Sequence, residues 1–366
     1  MTLILPDLLW HQGTLQKGFA VEWDGSGVTG LRLAEPDDRA DACPHILMPA
    51  CTDLQVNGSG GVMLNSDPSP EALAAIVTAQ RARGTGWVLP TLITTTLDLM
   101  EQAADAVIAA WGMPGLLGLH FEGPYLSLAR KGTHRAAFIR PFEPDMIPIL
   151  ARLREAGIPV MLTLAPECVP AQTIARLHDM GVVLSAGHTD ATAEEARAGL
   201  AAGVSCFTHL YNAMPQMQSR APGVIAAAIG SEAYAGIIAD GHHVAWEMIA
   251  LACRARPRPR RMFLVSDAMA TIGGPDHFTL YGERIELRDG KLVNADGALA
   301  GAHVDMVTSL RHLIRDVGLD PEEAIAMASD TPHQAMGLPA PQIAPGRHRA
   351  ECLALDADLR PIALPG

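Results

Sequence analysis

What the chain lacks narrows it first. No stretch stays apolar for the length a membrane-spanning helix needs, so a membrane protein is not expected. Positive charge is in deficit: 27 Lys and Arg face 40 Asp and Glu, a formal net charge of -13. Such a balance argues against nucleic acid or an anionic membrane as partner. The one basic run, Arg254 to Arg261, reads as a solvated loop. The six cysteines include no Cys-x-x-Cys pair. Cys51, Cys206, Cys253 and Cys352 sit among apolar neighbours, like small buried hydrophobes in a reducing compartment, and the cytoplasm is the expected location. Aromatic residues are only 4% of the chain, so Ala, Val and Leu must build the core, as in soluble α/β proteins. There is no internal repeat and no low-complexity tract. Met1 to Trp10 is apolar but has neither a positive leader nor a cleavage site, so it reads as part of the fold and not as a signal peptide.

What is present, in 366 residues, is alternation. Strand-like apolar runs occur at His45–Leu54, Trp87–Ile93, Leu116–Glu122, Val160–Leu164, Val182–His188, Val204–His209, Gly236–Asp240 and Met262–Asp267. Helix-like segments separate most of them: Pro70–Arg83, Leu99–Trp111, Pro144–Glu155, Ala171–Met180, Ala193–Ala202, Gly223–Gly230 and Val244–Arg254. Start signals such as Ser69-Pro70 and Thr192-Ala-Glu-Glu195 open some of these. Eight βα units predict a (β/α)8 TIM-like barrel over residues 46–334, with its active site at the C-terminal strand ends. A doubly wound sheet is the alternative, but no Gly-x-Gly-x-x-Gly follows the first strand. Short strands at Leu3–Leu9, Phe19–Trp23 and Val28–Leu33, with Glu351–Leu355 and Leu359–Leu364 at the other end, predict a small β-sandwich from residues 1–45 and 335–366. Past the eighth strand, Phe278–Asn294 reads as a hairpin turning at Asp289-Gly290, followed by helices at His303–Asp316 and Pro321–Ser329.

The strand ends carry the chemistry. The third run ends on Glu122, the fifth on His188, the sixth on His209 and the eighth on Asp267. A carboxylate ending a buried strand is costly unless paired or bound to a metal. Taken singly, a strand-end Glu more often caps a helix and a lone His is more often structural. Together, at one barrel face, one Glu and two His make a three-ligand divalent site with a position open for water, and Asp267 is placed to be the general base. His120 shares a strand face with Glu122 and reads as a packed core residue. At most one of His242 and His243 is expected to face the site.

With their neighbours, these residues resemble the N-acetylglucosamine-6-phosphate deacetylases, a branch of the amidohydrolase superfamily. The matching stretches are Pro49–Gly58, His120-Phe-Glu-Gly-Pro-Tyr125, Lys131-Gly-Thr-His134, Ser185-Ala-Gly-His-Thr189, Thr208-His-Leu-Tyr-Asn-Ala-Met214, Ile238–Val244, Val265-Ser-Asp-Ala-Met269 and Leu299-Ala-Gly301. The resemblance implies Glu122, His188 and His209 as ligands of one divalent ion, with zinc the default and iron, cobalt or manganese also fitting. It implies Asp267 as catalytic acid/base and His243 as the residue that holds and polarises the substrate. His134, Asn212 and Ala213 would contact the sugar phosphate, and Leu299, Ala300 and Gly301 would line the site. Arg220 would reach the phosphate from a neighbouring subunit, implying a homodimer. The implied reaction hydrolyses N-acetyl-D-glucosamine 6-phosphate to D-glucosamine 6-phosphate and acetate, with N-acetylgalactosamine 6-phosphate or another N-acyl amino sugar as alternative substrate. A non-catalytic binding protein on the same fold is the reading of another class, and the intact Glu/His/His/Asp set speaks against it. Gln55 and Asn57 stand where many amidohydrolases carry His-x-His for a second metal. Neutral amides are poor ligands for such an ion, so one occupied site is expected. Arg135 and Ala302 depart from the family's commoner Asn and Ser, which could shift substrate preference.

Overall fold

The computed structural model describes residues 2–295 and 297–365. Eight parallel strands form one sheet in chain order: Cys51–Val56, Thr85–Ile93, Leu119–Glu122, Val160–Leu164, Val183–Ala186, Val204–Phe207, Tyr234–Ile237 and Met262–Leu264. The first and last strands share no ladder. They meet through one bridge, Val56 to Ala268, and through the buried Asp53 carboxylate, which accepts the Ser266 amide at 3.2 Å and bonds the Ser266 hydroxyl. That fastening closes the barrel. Helices pack outside, most at the expected places. Ser69 caps Pro70–Arg81, and Thr192 with Glu195 forms a capping box on Ala193–Ala202, satisfying the amides a helix start leaves open.

The run expected as one strand from His45 divides at Ala50. Ile46–Pro49 pairs with Cys352–Leu355 and Leu8–His11 in a four-stranded terminal sheet, and only Cys51 onward enters the barrel. A three-stranded sheet of Thr2–Ile4, Phe19–Trp23 and Val28–Leu33 faces it across Ile4, Leu9, Val21, Trp23 and Leu47. Both chain ends therefore build the small sandwich, though the C-terminal end gives one strand and not two. Leu359–Leu364 makes only the Leu355 to Pro361 bridge. A turn at Asp356 with Leu359 left-handed (φ 61°) redirects the chain, and Pro361 has no N–H to offer a ladder.

The segment after the eighth strand forms three antiparallel strands, His277–Leu280, Glu283–Arg288 and Lys291–Val293. Asp289-Gly290 turns as expected. Tyr281-Gly282 is a second turn of the same left-handed kind, hidden in sequence by its tyrosine. Beyond Met306–Arg315 and Pro321–Ala328, a further short helix covers Asp330–Ala335.

Candidate functional site

The C-terminal mouth of the barrel holds a cavity of about 160 Å³ bordered by Glu122, His134, His188, His209, His243 and Asp267, with Asn212, Ala213, Leu299 and Gly301 around them. Of the residues expected to hold metal, carry catalysis or contact substrate, Arg220 and Ala300 do not border it. Arg220 is exposed, and Ala300 is buried in the apolar cluster beneath the three-stranded flap. His243 faces the cavity and His242 is exposed.

Local backbone geometry aims the side chains. Glu122 is the last residue of its strand. His188, His209 and Asp267 lie two or three residues past theirs, and all three are left-handed, with φ of 47°, 29° and 51°. Non-glycine residues adopt this region at a cost, and such strain concentrates at functional sites. Here it stops each strand and turns the next polar side chain into the mouth.

Three donor atoms converge. Glu122 Oε1 is 3.1 Å from His188 Nε2 and 3.0 Å from His209 Nε2, and the two nitrogens are 3.1 Å apart. His188 Nδ1 lies 2.8 Å from the Arg130 carbonyl oxygen, which can only accept, so in the neutral ring Nε2 carries the lone pair. Ligands about 2.05 Å from one ion stand about 2.9 Å apart at a right angle and about 3.3 Å apart at the tetrahedral angle. The observed spacings fall inside that window, so the set fits a divalent cation. His134 also places a ring nitrogen within 4.8 Å of Glu122 and His188. Its Nδ1 is held at 2.7 Å by the Thr94 hydroxyl, and His209 stands closer, so His209 is the better third donor.

Asp267 is anchored on one side. Its Oδ1 accepts Gln55 Nε2 at 3.1 Å and Asn57 Nδ2 at 2.7 Å, while Gln55 also donates to Glu122 at 3.1 Å. Oδ2 is left for chemistry. These two amides, noticed in the sequence only as missing ligands, are therefore what orients the acid. His243 is held through Nδ1 by Asp240 Oδ2 at 2.6 Å.

Electrostatics separate the carboxylates. Burial works to raise Glu122, but hydrogen bonds from His188 and His209 outweigh it and hold the carboxyl well below its usual range. Burial, with the Glu122 charge beside it, pushes Asp267 up to about 6. Burial would lower His209, and Glu122 reverses that. Burial and then His188 drive His134 well below the usual histidine range, keeping it neutral. Asp240 is pulled to about 2, because its His243 contacts overcome its burial. One ionised acid beside one poised near 6 is the division of labour that acid–base catalysis uses.

Sequence reasoning passed over Ile93, Thr133 and Met269 on the cavity wall, and Thr94 behind His134. Thr133 and Met269 lie inside matching stretches but were given no role there, and Ile93 and Thr94 lie in none. Two further clefts adjoin the cavity, one of about 330 Å³ sharing Gly132 to His134 and one of about 440 Å³ sharing His243.

Residues 46–349 match the model of the amidohydrolase family. The N-acetylgalactosamine-6-phosphate deacetylase of Shewanella sp. (strain ANA-3) is 36% identical over 364 residues, covering 96% of this chain and 91% of that protein. The N-acetylglucosamine-6-phosphate deacetylase of Haemophilus influenzae is 32% identical over 292 residues, covering 78% and 76%. The crystal structure of N-acetylglucosamine-6-phosphate deacetylase from Pasteurella multocida superposes with a TM-score of 0.89 at 32% identity, covering 98% of this chain and 96% of that one.

Proposed function

Because the chain belongs to the amidohydrolase family, we propose that it is a metal-dependent deacetylase that hydrolyses N-acetyl-D-glucosamine 6-phosphate to D-glucosamine 6-phosphate and acetate. One observation carries the reading: Glu122 Oε1, His188 Nε2 and His209 Nε2 within 3.1 Å of one another, at a cavity that Asp267 also borders. We assign these three to one divalent ion, zinc by donor chemistry. When bound, such an ion polarises a carbonyl and acidifies water toward a pKa of about 7.

The chain's own residues move the proton. Asp267 receives it from the attacking water on Oδ2, because Oδ1 is tied to Gln55 and Asn57. Asp267 then passes it to the amine nitrogen as the C–N bond breaks, and a carboxyl held near 6 suits both duties. His243, steadied by Asp240, contacts the reacting amide. His134, Asn212 and Ala213 are the contacts for the sugar phosphate, and Leu299 and Gly301 form the wall. Arg220 lies exposed and outside its own chain's cavity, which supports its reaching a partner's site in a homodimer, where its planar fork suits phosphate. All six cysteines are free, in keeping with a cytoplasmic protein. Among the described residues no helix is long and apolar enough to cross a membrane.

The Shewanella relative favours a second reading, N-acetylgalactosamine 6-phosphate as substrate. Acetate release from the two epimeric sugar phosphates by the purified, zinc-loaded protein separates them. A higher kcat/KM on the glucosamine epimer is expected. Preference for the galactosamine epimer moves the assignment to the second reading, and no release from either refutes both.

A further inference from the structure

The two histidines facing Glu122 are not held alike. The outer nitrogen of His188 donates to the Arg130 carbonyl. The outer nitrogen of His209, Nδ1, is buried with no hydrogen-bond partner among the described residues. Its own carbonyl oxygen lies nearby but already accepts both the backbone amide of Asn212 at 2.9 Å and its side-chain amide at 3.2 Å. Both lone pairs of that oxygen are used. A ligating histidine almost always donates its second ring N–H to a carboxylate, a carbonyl or a water.

His209 also borders a small cavity inside the barrel, of about 10 Å³. By that measure it admits about one water, which needs two to four polar partners. Ser185, Thr208 and His120 supply polar groups on its wall, against apolar Phe263 and Val265. The polar groups form a chain. Thr91 meets His120 Nδ1 at 3.1 Å, His120 Nε2 meets Thr163 at 2.8 Å, Thr163 meets Thr208 at 2.7 Å, and Thr208 meets Ser185 at 2.7 Å. A hydroxyl can make one donated and two accepted bonds. Ser185, at the end of the chain, keeps capacity to spare beside the cavity.

We infer that this cavity binds one water molecule, which accepts the Nδ1 hydrogen of His209, bonds the Ser185 and Thr208 hydroxyls, and so fixes the tautomer that leaves Nε2 free for the metal. The inference rests on reading Glu122, His188 and His209 as the metal site. Ser185 and Thr208 are then positioning residues, acting on the metal through His209 without touching substrate.

Zinc affinity, measured by competition with a chromogenic chelator, tests it in wild type, Ser185→Ala, Thr208→Val and His209→Ala, with the thermal midpoint of each metal-free protein alongside. The two hydroxyl variants should bind zinc roughly 10–100-fold more weakly, with metal-free midpoints near wild type. A high-resolution crystal structure of the wild type should place an ordered water within hydrogen-bond distance of His209 Nδ1. Unchanged affinity in both hydroxyl variants, with zinc lost from His209→Ala, overturns the water site and leaves the metal assignment standing. Unchanged affinity in His209→Ala overturns the metal assignment itself. A drop in affinity matched by an equal drop in metal-free stability marks a packing defect and counts against the inference, as does a dry cavity in the crystal.

Discussion

Replacing Asp267 by Asn should separate catalysis from stability in opposite directions. The amide is nearly isosteric. Its carbonyl oxygen can keep both bonds from Gln55 and Asn57, which places the NH2 group where Oδ2 stood. That group cannot accept a proton, so turnover should fall roughly 10²–10⁴-fold or more, about 3–5 kcal/mol of transition-state stabilisation. Stability should move the other way. A carboxyl raised from 3.8 to about 6 by folding costs the folded state nothing below the unfolded value. The cost grows between the two values and is complete above about 6, where it reaches about 3 kcal/mol. The metal-free Asn variant should therefore be more stable than wild type at pH 8, by up to that amount, and the gain should vanish near pH 4. Urea unfolding of both metal-free proteins at the two pH values, with steady-state turnover of the zinc-loaded forms, measures it. Near-wild-type turnover would refute the assignment of the base. A stability gain independent of pH, or a loss at pH 8, would refute the account of its environment.

Other outcomes follow from the same geometry. The pH profile of kcat/KM should rise on the acid side as the base ionises, and that limb should be absent from the residual activity of Asp267→Asn; an acid limb unchanged in the variant would remove Asp267 from that role. Chelation should abolish turnover and added zinc should restore it, whereas Glu122→Gln should fail to retain zinc after dialysis, read by elemental analysis. Gly301 has φ 70°, and a Cβ there would come within 2.7 Å of Met269 Cγ and 3.1 Å of the Asp267 carbonyl oxygen. Gly301→Ala should cost at least about 1 kcal/mol of stability in urea unfolding, and a fully stable variant would contradict the contact.

The barrel and the four strand-end residues were legible because both rest on a strong local contrast. An apolar run stopping on a carboxylate or an imidazole is visible without coordinates, and the alternation with Ala-rich helices sets the order in which those ends meet. What the sequence hid has physical reasons. Ile46–Pro49 and Cys51–Val56 are equally apolar because both are buried, and only Ala50 between them parts sandwich from barrel. Gln55 and Asn57 are neutral, so their hold on Asp267 leaves no charge pattern to find. The left-handed backbone at His188, His209 and Asp267 has no glycine to announce it. The outer partner of His188 is a carbonyl, which every residue carries.

The barrel is a hoop woven along seven joints and buckled at the eighth. The buckle is Val56 against Ala268, with Asp53 latched to Ser266, and Asp267 sits on the tongue between them. A slip at any woven joint must break a ladder of bonds, but a slip at the buckle tilts the Asp267 carboxylate directly. The proposed base thus sits at the joint that no strand ladder spans. Asp53, outside the cavity wall and pushed by burial up to about 7, is the pin that keeps that joint shut.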